Sequence, residues 1–163
     1  EGLPYDRCQV GVVTRMPKAQ GLDDLYPGPD EKMPSYVRTQ VDVVLPEGAA
    51  LLNAADPQVA ALAAHCDGSV IFYADDEHNE VLQAHRSQGG RTGFWREGQL
   101  VLAEGRKEHL LLSAQRPAIA RLLKNDILQA HDMLVAACAA WALDIGTDLI
   151  RAGIKSYGTP ASA

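Results

Sequence analysis

Short apolar runs alternate along the first half of the chain with segments of helical spacing. Residues 8–14, Cys-Gln-Val-Gly-Val-Val-Thr, are β-branched and apolar, the composition of a buried parallel strand. Val37, Val41, Val44 and Leu45 recur at helical spacing, and Pro34 suits a first helical turn. Pro46-Glu47-Gly48 is expected to stop that helix, leaving Ala49 to Leu52 as a second strand. Pro57 opens a helix with Val59, Leu62 and Ala63 on one side, and Ser69 to Tyr73 is a third strand. Asn79 to Ser87 reads as a short helix halted by Gly89-Gly90. Between the first strand and the first helix, Pro17, Gly21, Pro27, Gly28, Pro29 and Pro34 punctuate a long loop. A loop of that length in a compact domain is usually functional or mobile.

The pattern then switches. Thr92 to Arg96 and Gln99 to Ala103 flank Glu97-Gly98, a hairpin signature with a primed turn. Glu108 to Ser113 predicts a further antiparallel strand. Ile127 to Leu143 is Ala-rich and apolar nearly all round, so burial is expected on all sides, and a closing helix starts at Thr147. These elements predict a single α/β domain: a small, mostly parallel sheet flanked by helices, with an antiparallel hairpin annex. Residues 1–158 are assigned to that domain and 159–163 to a flexible tail.

Composition narrows the function classes. A chain of 163 residues with 47% hydrophobic content suits one soluble domain. The net charge of −6, with its Lys and Arg scattered, gives no electrostatic footprint for nucleic acid. No apolar run approaches the ~20 residues of a membrane span, and no signal peptide is visible, so no membrane partner is expected. Cys8, Cys66 and Cys138 are odd in number and far apart, which argues against a disulfide framework or a CxxC zinc site. Cys8 and Cys138 read as small core residues, and a reducing, cytoplasmic setting fits. The chain starts at Glu1 rather than Met, as a piece of something longer would.

Two stretches carry a family resemblance. Gly2-Leu3-Pro4-Tyr5-Asp6-Arg7-Cys8 running into Val12-Val13-Thr14 is one, and Leu52-Asn53-Ala54-Ala55-Asp56-Pro57 is the other. Together they resemble the central domain of Mur-type amide ligases of the cyanophycin synthetase kind, over roughly residues 1–158. The resemblance implies a partial Mur ligase central domain and a parent activity that forms peptide bonds with ATP and Mg, through an acyl phosphate. It assigns Asn53, Asp56 and Thr14 to nucleotide binding.

Several positions depart from the family's pattern. Arg15 takes the place of an Asn, Ala19-Gln20 fall where an Asp-His pair belongs, and Gln40 matches a lysine that is often carbamylated. Ala55 replaces one of two carboxylates. No Gly-x-x-x-x-Gly-Lys-Ser/Thr occurs in the chain. The expectation is therefore a ligase fragment that is incompetent by itself, with no catalytic or metal residues of its own and no tight binding of ATP or Mg. Its implied partner is the missing N-terminal part of the ligase domain, or a second copy of itself in a homo-oligomer. The alternative is a non-catalytic scaffold or dimerisation module derived from such a domain.

Other polar groups have simpler readings. Asp56-Pro57 has the form of a helix cap, which needs no ligand. The run Asp75-Asp76-Glu77-His78 lacks the spacing of a calcium loop and reads as a solvated turn. His131 has a carboxylate beside it in Asp132, but neighbouring helical residues diverge, so a structural role is favoured over general-base work. His65, His85 and His109 have no evident partners in the sequence, and Phe94-Trp95 reads as packing rather than a base-stacking platform.

Overall fold

A computed structural model describes residues 6–16, 32–113 and 127–156. The expected long loop falls mostly outside these residues, as do Ala19, Gln20 and the tail. One six-stranded sheet runs through the molecule with its strands in chain order. Strands β1 (Cys8–Val13), β2 (Val44–Asn53), β3 (Ser69–Ala74) and β4 (Arg91–Arg96) pair in parallel. β5 (Gln99–Glu104) and β6 (Lys107–Ser113) add antiparallel ladders, so the hairpin annex extends the same sheet. The β4–β5 turn takes left-handed backbone at Glu97 (φ 47°) and Gly98 (φ 75°), the primed geometry that Gly favours.

Helices cover both faces. On one lie α1 (Lys32–Asp42), α2 (Pro57–Ala61), a single 3-10 turn at Leu62–His65, and α3 (Glu80–Ser87). On the other lie α4 (Ile127–Ala142) and α5 (Thr147–Ser156). Alternation along β2 separates two cores, as the two-residue period of a strand requires. Ala49 and Leu51 join Ile71, Tyr73, Trp95, Leu134 and Cys138 beneath α4. Ala50 and Leu52 join Val41, Val44, Phe72, Leu82 and Phe94 beneath α1 to α3. Burial on both faces explains why β2 reads as a continuous apolar run.

One helical assignment is overturned. Val44 and Leu45 belong to β2, where Val44 pairs with Cys8, and α1 ends at Asp42. Pro46 is tolerated because the β1–β2 register shifts between Cys8 and Val10, leaving that stretch outside the regular ladder. Cys8 is also only partly buried, unlike the enclosed Cys138. Burial pushes both thiols above their ordinary range, with Cys66 adding to the effect at Cys8.

Two sets of contacts lock helices to the sheet. α4 lies so close to β4 that a Cβ on Gly93 would sit 2.2 Å from Cys138 Sγ. Trp95 is buried in the core beneath α4, and its Nε1 donates to the Ala130 carbonyl at 3.3 Å. On the opposite face, Arg86 and Arg96 lie 5.6 and 5.7 Å from the centre of the Phe94 ring. Both guanidinium groups donate to Glu108, at 2.5 Å and 2.7 Å. Hydrogen bonding from Arg96, and then from Arg86, holds the Glu108 carboxyl down at about 2 against the opposing effect of burial.

Candidate functional site at the carboxyl ends of the strands

In open α/β sheets ligands sit beyond the carboxyl ends of the parallel strands. Here β1 ends beside Thr14, β2 at Asn53 and β3 at Ala74, just before Asp75. The three residues singled out from the sequence do meet at this edge. Asn53 Nδ2 donates to the Thr14 carbonyl at 2.9 Å, joining the ends of β1 and β2. Its Oδ1 accepts from the Ala55 N–H at 2.9 Å, closing an Asx turn. Thr14 thus contributes its main chain to the tie.

Asp56 is the N-cap of α2, as its place before Pro57 suggests. Its Oδ1 accepts from the N–H groups of Gln58 at 3.0 Å and Val59 at 3.3 Å. Its Oδ2 reaches back to accept from the Met16 N–H at 3.1 Å, which secures the chain leaving β1. Asn79 repeats the device one strand further on. It caps α3 through Leu82 N–H at 3.1 Å and donates to the Ala54 carbonyl at 3.2 Å. Three Asx side chains therefore stitch the strand ends to one another and to two helix starts.

These bonds bear on the metal and nucleotide that the resemblance implies. Both Asp56 oxygens already accept from backbone N–H groups, Ala55 supplies no donor, and both ends of the Asn53 amide are committed. Gln40 lies on α1, its carbonyl oxygen packed against Gly11 of β1. Among the described residues no three His, Cys, Asp or Glu groups gather as metal ligands. Among the described residues, the Asn53–Asp56 donor set does not fit a magnesium ion.

The edge also holds a pair that sequence reasoning missed. His131, in the first turns of α4, places Nδ1 3.1 Å from Oδ2 and 3.2 Å from Oδ1 of Asp75. Its partner is this carboxylate, 56 positions away, and not the adjacent Asp132, which lines a groove on the outer side of α4. The His131 ring meets Tyr73 edge-on, with centroids 5.6 Å apart. Tyr73 is wholly buried, its hydroxyl has no hydrogen-bond partner among the described residues, and burial pushes its phenol above the ordinary range, with Cys138 and Asp75 adding to the rise. The rest of the acidic run forms a turn in which Asp76 Oδ1 accepts from the His78 N–H at 2.9 Å. Glu77 pairs with Arg96 at 3.5 Å. His85 and His109 also find partners through tertiary contact: the Val70 carbonyl at 3.1 Å and the Thr147 hydroxyl at 3.5 Å.

A second concavity lies away from this edge. α4 and α5 enclose an apolar groove of about 780 Å³, lined by Leu128, Met133, Ala137, Ile145, Leu149 and Ile154 among others. Leu128 is 79% exposed and Leu149 71% exposed, so the expectation that α4 is buried all round fails on this side. The sheet takes one face of the helix and α5 packs against part of the rest, leaving Leu128 exposed among the described residues.

The chain matches no family model. Cyanophycin synthetase of Synechocystis is 29% identical over 166 residues, which span 98% of this chain and 18% of that protein. The cyanophycin synthetases of Geminocystis herdmanii and Crocosphaera subtropica are each 27% identical over 162 residues, spanning 99% of this chain and 18% of theirs. Nearly the whole chain thus matches a fragment of cyanophycin synthetase, equal to 18% of that enzyme's length.

Proposed function

We propose that this chain is part of a cyanophycin synthetase-like, ATP-dependent amide ligase of the Mur type, and that it does not catalyse ligation by itself. The observation that carries the reading is the continuous match across 98% of the chain to 18% of the Synechocystis enzyme. The site chemistry supports the second half. Asn53, Asp56 and Thr14 stand at the strand edge where a nucleotide would lie, yet their polar atoms are engaged in holding backbone. The chain has no phosphate loop of its own. Its three thiols are unpaired, in keeping with work in a reducing, cytoplasmic compartment. Isothermal titration of ATP with magnesium into the chain alone is expected to give no saturating heat. Binding in the low-millimolar range or tighter would show that the chain holds nucleotide unaided and would defeat the claim of incompetence.

One feature favours a second reading, a non-catalytic module that assembles through its surface. The α4–α5 groove presents Leu128 and Leu149 to solvent, as an interface in a homo-oligomer would.

A further inference from the structure

The polar atoms of Asn53 and Asp56 are spent on backbone, whereas the Asp75–His131 pair at the same edge leaves Nε2 without a hydrogen-bond partner among the described residues. We propose that His131, oriented by Asp75, accepts the proton of a protonated amine bound at the carboxyl end of the sheet. The geometry fixes the ring's roles. Asp75 engages Nδ1 through both carboxylate oxygens, at 3.1 and 3.2 Å, so a neutral ring carries its proton on Nδ1 and presents the lone pair of Nε2. Tyr73, wholly buried, is the platform on which the imidazole stands. Tyr73 is also the register partner of Asn53, which brings the pair beside the stitched ends of β1 and β2.

Charge selects the ligand class. Asp75 and Asp76 adjoin in the chain, Glu77 is engaged by Arg96, and a neutral His131 leaves the Asp75–His131 pair itself anionic. A phosphate is repelled there and an ammonium group attracted. In the transfer, an N–H bond of the ammonium breaks, its electron pair stays on the amine, and an Nε2–H bond forms. The positive charge passes to the imidazolium, where the Asp75 carboxylate offsets it. Asp75 is a positioning residue, since it acts through His131. The choice of an amine as the substrate class rests on the amide-ligase reading.

The test uses the full 163-residue chain with nitrogen-15 histidine, read by long-range proton–nitrogen NMR. The neutral His131 ring is expected as the Nδ1–H tautomer. Ethylamine should shift its Nε2 resonance saturably, and inorganic phosphate should not. Asp75→Asn should abolish the tautomer preference and weaken the ethylamine response about tenfold, as loss of a charged hydrogen bond implies. A urea melt of the same variant shows whether it remains folded, and Asp75→Glu should restore part of the response. Absence of a saturable amine shift, a larger shift with phosphate, or an unchanged response in Asp75→Asn each overturns the proposal. Titration with ATP and magnesium separates the two ideas. An amine response without ATP binding supports the proton acceptor alone, and ATP binding without an amine response overturns the acceptor while leaving the ligase reading intact.

Discussion

Asn53 and Asp56 show how one residue type serves two readings. The Asp56-Pro57 pair is legible as a cap because capping is local, and the structure gives it that role. The bond from Asp56 to the Met16 N–H spans 40 positions and leaves no local trace. Losing the cap and this tie together should make Asp56→Ala cost about 1–2 kcal/mol in urea denaturation. Asn53→Ala should cost about 1 kcal/mol by the same measurement, through the link to Thr14. Glu108 sets an acid-dependent contribution. Its carboxyl is lowered from the ordinary 4.5 to about 2, so its stabilising effect is complete above pH 4.5 and lost as pH falls towards 2. Denaturation midpoints taken from pH 5 to 2 should fall less steeply in Glu108→Gln than in the parent chain. The partner of His131 was illegible for the same reason as the Met16 tie: nothing near position 131 announces a carboxylate at 75.

At the scale of elements, the strands were legible where periodicity and burial agree. β3, the β4–β5 hairpin and β6 follow from short β-branched or alternating runs and from Glu97-Gly98. The reading failed at Val44 and Leu45, where a helical spacing that continues α1 is outweighed by pairing with β1. It failed again on the outer side of α4, because composition shows that a helix is apolar without showing how many sides find a partner. Gly93 is a tertiary requirement that no local pattern reveals. A Cβ there would meet Cys138 Sγ at 2.2 Å and Leu134 Cδ1 at 3.2 Å. Gly93→Ala should cost about 1–3 kcal/mol, read as a lowered melting temperature, because α4 must lift from β4. The double variant with Cys138→Ala should recover part of that loss, since it removes the obstructing sulfur.

At the scale of the molecule, the open surfaces among the described residues include the outer edge of β1 and the α4–α5 groove. If the groove joins two copies, Leu149→Glu should convert a dimer to a monomer in light scattering without lowering the melting temperature of the monomer. An unchanged mass would dismiss the groove as a self-association surface. The sheet has a further consequence, because its spatial order and its chain order coincide. Each strand finds the next strand of the chain beside it, so assembly is expected to proceed by accretion of neighbouring strands. Glu97-Gly98 closes β4 onto β5 across two residues, an event of the microsecond scale, whereas 30 residues lie between β1 and β2. Amide protons in the meander should therefore exchange last, and those of β1 first. The edge strand β1 is thus also the strand expected to be held most loosely in time.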